Sequence, residues 1–315
     1  MWFSSKSRLE RYFRRNPGVK LVVVAGSFGR RSAIQAIGNV LGRTLTVGVG
    51  VNHEEELDVV IMDYNSSGAF PDVAADFVVI TSCRTDEEAK RYFGLANRAR
   101  NVFINHDDVP GEYAKYLTNP KIVTYGDDLP ANYYFEEADY DIEGWRGCFV
   151  TPENERIPAH VKLLGEHNLR PVSMAVGLGR MFNVSREEII EGVEAIRPLP
   201  GHLAPGHGIN GSIVIDDSAD MSSISVNLAL RTIYSFDTPS RILVMGGVDP
   251  GVKIDRRLVS QVLVMDEKGQ WKSDDFFHFF RTEVDLLAHL AKRMEQDGIV
   301  LLEYPLSNII NDYLL

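Results

Sequence analysis

Between an apolar run, LVVVA (21–25), and a segment with apolar residues at helical spacing, SAIQAIGNVLG (32–42), lies Gly26-Ser27-Phe28-Gly29-Arg30-Arg31-Ser32. Glycines at such a junction let backbone N–H groups approach a phosphate, and the positive end of the following helix favours an anion. A phosphate loop usually ends in Gly-Lys-Ser/Thr, where the lysine reaches the outer phosphates and the hydroxyl ligates magnesium. Here those two positions hold Arg30 and Arg31. Packing of a strand against a helix requires a glycine turn just as often, so the loop alone leaves phosphate binding and plain structure open. A dinucleotide reading is weaker, because the second strand ends near GVGVNH without the acidic ribose partner expected about 20 residues on.

Other chemistry-bearing residues read more plainly. His202 and His207 in GHLAPGHG lack a third ligand nearby and are expected to be loop residues, not a metal site. Asp216-Asp217-Ser218 follow an apolar run and are expected to cap a helix beginning near Ser222. Asp107-Asp108 and Asp127-Asp128 follow two other runs and are expected to face solvent. Cys83 and Cys148 are far apart with no CxxC pairing, which supports neither a disulfide framework nor a thiolate zinc site.

The elements that must position these residues alternate. After LVVVA come β-rich runs at 44–51, 57–63, 76–82, 101–105 and 121–126, with helical stretches such as DEEAKRYFGLANRA (86–99) between several of them. This alternation predicts a mostly parallel sheet of P-loop type covered by helices. Residues 133–164 change to short strands of an antiparallel extension, followed by helices over 169–182 and 183–196, the second with Ser185 as N-cap and Glu188 three residues on. Seven prolines and glycines between Pro198 and Gly211 form the densest breaker cluster and mark a domain boundary. Beyond it, strands at 212–218, 241–247, 261–266 and 298–303 alternate with helices such as 284–296, as in a smaller Rossmann-like α/β domain. The domains are therefore read as a basic N-terminal helix (1–18), a central domain (19–198) and a C-terminal domain (199–315).

Composition narrows the function classes. The chain has 315 residues, 33 Lys+Arg against 44 Asp+Glu, a formal charge of −11 and 44% apolar residues, enough for two buried cores. The acidic balance argues against broad nucleic-acid binding. No apolar run approaches the roughly 18 residues of a membrane span, and the first residues do not form a signal peptide, so a cytoplasmic location is expected. The first fifteen residues are an exception, with a net charge of +4. Their aromatic and basic residues suit an amphipathic helix that packs on its own domain or meets an anionic surface, a partner protein or a second copy.

Taken in order from about residue 19, these segments resemble the Mur ligases of peptidoglycan synthesis, and within them the branch that adds D-alanyl-D-alanine to a UDP-muramoyl tripeptide. LVVVAGSFGRRSAIQAIGNVL is similar to the family's Gly-Ser-Asn-Gly-Lys-Thr-Thr loop region, and NVFINHDDVP to its Val-Leu-Asn-Ala-Asp-Asp-Pro stretch. KLLGEHNLRPVSMAVGLG resembles its Gly-x-His-Asn-x-x-Asn helix, and LPGHLAPGHGINGSIVIDDSADMSS its Pro-Gly-Arg followed by Ile-Asp-Asp-Ser-Tyr-Asn-Ala-Asn-Pro.

The resemblance implies a chassis on which ATP activates a carboxylate as an acyl phosphate and an amine then attacks it to form an amide. It also implies a nucleotide site at Gly26, Ser27, Phe28, Gly29, Arg30, Arg31, Ser32, His167, Asn168, His202 and Asp217. Most charge-handling positions differ from the family's. The loop lysine is Arg30, the magnesium-binding hydroxyl Arg31, the second asparagine of the helix Pro171, the arginine of Pro-Gly-Arg His202, and Lys-Gly-Ser-Arg becomes Glu303-Tyr304-Pro305-Leu306. The acid of the third strand appears as Asp63, and Lys90 is the nearest candidate for the family's carbamylated lysine. The expectation is a protein whose ligase reaction is lost or attenuated and which binds a nucleotide, an anionic ligand or a partner protein. ATP should bind weakly and magnesium is not expected, Arg31 taking the metal's place, with Arg31 or Arg30 in contact with Asp63 or another acid beside it. The alternative is an active amide ligase in which Arg30 substitutes for lysine and a separate chain supplies the substrate-binding domain, since only eighteen residues precede the central domain.

Overall fold

A computed structural model describes residues 3–50, 56–64 and 73–306, with side chains from Leu9 onward. The chain divides into two compact units. The first runs to Ile196, and the second comprises Arg197 onward together with Asp141–Gly144 and Leu163–Gly165.

The first unit is built on a six-stranded parallel sheet: β1 (Lys20–Ala25), β2 (Val47–Val49), β3 (Val59–Tyr64), β4 (Phe77–Ile80), β5 (Asn101–Asn105) and β6 (Ile122–Tyr125), in the order β2-β3-β1-β4-β5-β6. Central parallel strands are covered on both faces, which is why β1 and β4 read as unbroken apolar runs rather than alternating ones. A separate three-stranded sheet, β7 (Tyr134–Asp141), β8 (Gly144–Val150) and β9 (Arg156–Val161), is the antiparallel extension, with β8 and β9 paired antiparallel. The run expected over 44–51 is a strand only at Val47–Val49, and Asn52 and His53 of GVGVNH lie outside the described residues.

Five helices belong to this unit: α1 (Phe3–Arg15), α2 (Arg30–Leu41), α3 (Asp86–Ala96), α4 (Leu169–Met181) and α5 (Arg186–Glu194). Helices α3 and α5 open with reciprocal capping boxes, Thr85 with Glu88 and Ser185 with Glu188, which satisfy N–H groups that the helix itself cannot. Helix α5 lies against α2 so closely that a Cβ on Gly192 would stand 2.7 Å from the Val40 Cα, so only glycine fits there. Helix α1 buries Leu9 and Tyr12, and Tyr12 joins the core cluster of Leu21, Val23 and Val60, while Arg11, Arg14 and Arg15 stay exposed.

The second unit holds a six-stranded sheet of β10 (Ala204–His207), β11 (Ile213–Asp216), β12 (Arg241–Met245), β13 (Gln261–Met265), β14 (Phe277–Phe280) and β15 (Ile299–Glu303), ordered β10-β11-β15-β12-β13-β14. All neighbours are parallel except β10, which runs antiparallel to β11. Sequence patterning misses β10 and β14. The first is Ala-Pro-Gly-His, a poor strand former that an edge position tolerates, and the second is a run of rings without apolar alternation. Helices α6 (Ser223–Tyr234) and α7 (Glu283–Ala291) connect the strands and supply Val226, Leu286, Leu287 and Leu290 to the core. No helix among the described residues is long and apolar enough to cross a membrane.

Because α1 docks through a ring only 5% exposed, it belongs to the fold as well as to the surface. Tyr12→Ala is expected to cost about 3 kcal/mol in urea denaturation, whereas replacing Arg14 by Gln should change stability by less than about 0.5 kcal/mol.

Candidate functional site

The glycine loop leaves the carboxyl end of β1 and is pinned to the end of β4. A Cβ on Gly26 would fall 2.1 Å from the Thr81 Oγ1 and 2.9 Å from the Ser82 nitrogen, so glycine is required by close approach. Gly29 has φ 78° and serves as the N-cap of α2 without any side-chain bond. The Phe28 N–H donates to the Ser82 Oγ at 2.8 Å, the Ser82 hydroxyl donates to the Phe28 carbonyl at 3.0 Å, and the Ser27 N–H reaches the Ser82 carbonyl at 3.4 Å. The Ser27 hydroxyl donates to the Glu88 carboxylate at 2.8 Å. Burial pushes Glu88 up, but bonds from the Arg84 N–H, the Ser27 hydroxyl and the Thr85 N–H outweigh it and hold the carboxyl below its ordinary value. The Arg84 guanidinium covers the Phe28 ring at 4.7 Å.

Arg30, the first residue of α2, folds back across this loop. Its Nε donates to Asp63 Oδ1 at 2.6 Å, and its guanidinium also donates to the Gly26 carbonyl. Asp63 sits near the end of β3, beside β1 in the sheet. Of the two arginines expected to meet Asp63, Arg30 makes the contact and Arg31, expected to take the metal's place, is exposed. The reason is helical geometry: the first residue of α2 faces back over the loop, whereas the next is rotated about 100° toward solvent.

Further along the same carboxyl edge stands a cluster that the sequence does not disclose. Arg170, in the first turn of α4, donates to Asp127 through Nε at 2.7 Å and Nη2 at 2.5 Å, and to Asp108 through Nη1 at 2.7 Å. Asp107 approaches its Nε at 3.7 Å. Burial works against the Arg170 charge, but Asp127 and Asp108 outweigh it and raise its pKa. Three of the four aspartates expected in solvent therefore turn toward one guanidinium, Asp107 at the exposed rim and Asp108 and Asp127 half-buried, while Asp128 is exposed as expected. Asn105 ties this cluster to the loop's support, donating to the Asp108 carboxylate at 2.8 Å and to the Thr81 carbonyl at 3.0 Å. His167 and Asn168 lie in a short 3-10 turn just before Arg170, both half-buried.

The remaining sequence-derived residues, His202 and Asp217, belong to the second unit. His202 is half-buried in the turn before β10. Asp217, at the end of β11, is buried, and its Oδ1 accepts the Leu203 N–H at 3.0 Å. The expected cap of α6 is instead Ser222, whose hydroxyl accepts the Ser225 N–H, and Asp216 bonds locally to Ser218. Burial, with Asp216 and Asp220 nearby, raises Asp217 to about 7 despite the Leu203 bond. Glu303, at the end of β15, is 1% exposed, and neither of its carboxylate oxygens has a hydrogen-bond partner. Burial first, then Asp217, Asp220 and Asp216, raise it to about 9. Among the described residues no three His, Cys, Asp or Glu side chains converge in a way that could hold a metal ion.

Both acids bind protons more tightly folded than unfolded, so their contribution to stability is present at low pH and is lost as pH rises through about 7 and about 9. Glu303→Gln should flatten this slope and make the protein more stable than wild type at pH 9, as read by urea denaturation across pH 5 to 9.

No family model matches the chain. The UDP-N-acetylmuramoyl-L-alanyl-D-glutamate--2,6-diaminopimelate ligase of Geobacter sulfurreducens is 30% identical over 147 residues, which is 47% of this chain and 28% of that enzyme. The ligase of the same name from Fusobacterium nucleatum is 25% identical over 298 residues, covering 79% of this chain and 59% of the enzyme. The chain thus spans from about a quarter to three fifths of the length of the curated relatives it matches. The MurF ligase of Thermotoga maritima, solved in complex with ADP, superposes with a TM-score of 0.72 at 13% identity, over 95% of this chain and 78% of that one. In sequence the chain is similar to Mur ligases, and it shares their fold.

Proposed function

We propose that this chain keeps the architecture of a Mur-type ATP-dependent amide ligase while the ligase reaction is lost or strongly attenuated, and that it acts by binding a nucleotide, an anionic ligand or a partner protein. The observation that carries this reading is the Arg30 guanidinium lying between Asp63 and the Gly26 carbonyl. Acyl-phosphate chemistry needs a divalent cation bridging the phosphates. A fixed guanidinium already neutralises Asp63 and repels a second cation. At about 4 Å and an effective dielectric near 20, two unit charges interact by about 4 kcal/mol, and a divalent ion by more. The residues at this position do not fit magnesium.

An anion fits better. The first N–H groups of α2 belong to Arg30, Arg31 and Ser32, and Arg31 is exposed beside them. The Ser27 and Phe28 amides are engaged by Ser82, so a phosphate would be received by the helix end more than by the loop. His167 and Asn168 would border it from the start of α4. Asp217 sits among other acids, a setting that favours a phosphate least. The exposed Arg11, Arg14 and Arg15 of α1 are where an anionic surface or a partner would be met.

Calorimetric titration with ATP, with and without magnesium, tests the reading. ATP is expected to bind weakly, with an affinity that changes by less than about threefold when magnesium is removed. Sub-micromolar affinity, or amide formation from a UDP-muramoyl acid and an amine with a separate substrate-binding chain present, would overturn it. Arg30→Lys combined with Arg31→Thr frees Asp63 and restores a hydroxyl, and this variant is expected to gain at least about fivefold in magnesium-dependent ATP affinity in the same titration.

A further inference from the structure

Helix α1 ends at a small cavity of about 180 Å³ lined by Arg11, Tyr12, Arg15 and Asn16. Arg11 and Arg15 stand four positions apart, the spacing that makes two side chains neighbours on one helix face. Neither meets an acid, a carbonyl or a ring among the described residues. Elsewhere Arg100, Arg156 and Arg180 each find a carboxylate, at 3.1, 2.8 and 2.9 Å. In a chain of net charge −11, two adjacent guanidinium groups without an acid at a cavity are placed to receive an anion from outside.

Basic residues in a last helical turn have an ordinary explanation, since they offset the negative end of the helix dipole. That covers Arg14 and Arg15 but not Arg11, which stands before the last turn. The negative end is also blunted here. The Asn16 backbone N–H and its Nδ2 both donate to the Tyr12 carbonyl, at 2.9 and 3.0 Å. The second hydrogen of that side-chain amide has no partner among the described residues and is a further donor at the cavity. Leu9 and Tyr12 are buried and Phe13 packs beside them, so the arginines project from an element fixed by its own core contacts.

We infer that the end of α1 binds a phosphate group, held by the Arg11 and Arg15 guanidinium groups with the Asn16 amide beside them and Arg14 adding charge from the neighbouring position. Guanidinium forks match phosphate oxygens in pairs. A carboxylate has two oxygens, which one fork already fills, so a second arginine at the same cavity points to a tetrahedral anion with more of them. The inference rests on the reading of α1 as the place where an anionic surface is met and gives that surface its chemistry. The phosphate is carried by a small soluble phosphomonoester or by an anionic lipid headgroup. A lipid would be touched at its headgroup only, because Leu9, Tyr12 and Phe13 are committed to the core and nothing apolar on this part of the helix is left to insert. Such binding depends on charge and is screened by salt.

The full chain is titrated at pH 7 with inorganic phosphate, glycerol 3-phosphate and hexaglutamate, the first two followed by phosphorus NMR and the third by calorimetry. It is also co-sedimented with vesicles of phosphatidylcholine, alone or with about one quarter phosphatidic acid. Saturable phosphate binding at about 1 mM or tighter is expected. Vesicles should bind only when they contain phosphatidic acid, and release the protein at about 0.5 M salt. Replacing Arg11 and Arg15 together by Gln should weaken phosphate and vesicle binding at least about fivefold while circular dichroism and Tm show an intact fold. Replacing both by Lys keeps the charge without the fork, so vesicle binding should stay within about twofold while phosphate affinity falls at least about threefold. The head of α2 is also proposed to receive a phosphate, so the titrations are repeated with Arg31→Gln, in which the component lost with Arg11 and Arg15 should remain. Binding of the phosphatidic acid vesicles assigns a lipid headgroup. Phosphate binding without vesicle binding assigns a soluble phosphomonoester, and then the surface reading falls while the inference stands. The inference is overturned if neither the phosphates nor these vesicles bind, if the folded Gln variant binds the phosphates as the wild type does, or if hexaglutamate binds in their place. Vesicle binding that survives in the Gln variant also overturns it and leaves the surface reading standing alone.

Discussion

The contact between Gly26 and Thr81 sets the geometry of the first unit's functional edge. With no side chain at 26, β1 and β4 end flush against each other, and the Ser82 hydroxyl can both accept from and donate to the Phe28 backbone. The loop is then oriented so that α2 begins directly over Asp63, and Arg30 meets that carboxylate. Asn105 extends the same support from Thr81 toward Asp108 and Arg170. A larger residue at 26 would displace the Thr81–Ser82 backbone and with it every bond in this chain of contacts.

The two units handle the acids at their carboxyl edges in opposite ways. In the first, four acids at the carboxyl edge share two arginines: Asp63 has Arg30, and Asp107, Asp108 and Asp127 share Arg170. These guanidinium pairs are charge-assisted and geometrically specific, so the edge is held in one arrangement without any added cation. In the second, Asp217 and Glu303 have no basic partner among their recorded contacts and are driven toward protonation. Fixed internal cations hold the first edge, and their absence from these contacts disposes Asp217 and Glu303 toward the protonated form.

Periodicity and breakers made the α/β class legible. The apolar runs of β1, β3, β4, β12, β13 and β15 are continuous because parallel strands are covered on both faces, and the capping box at Ser185 and Glu188 is a purely local signal. The likeness to Mur ligases was legible too, from the order of several loose motifs rather than from any one of them. Local order also marked Gly26 and Gly29 as a tight turn.

What the sequence by itself determined, then, was whatever depends on neighbours within a few positions: strand and helix periodicity, caps, and the glycine turn at the head of α2. Only the tertiary structure decided which charges meet. Arg30 rather than Arg31 faces Asp63, 33 residues away in the chain, and Arg170 gathers aspartates 43 and 62 residues before it. Glu303 lies beside Asp217 because β15 inserts next to β11. Coulomb interactions and hydrogen bonds act over a few ångströms of space regardless of separation along the chain, so their partners are fixed by strand order and helix rotation, which no local pattern encodes.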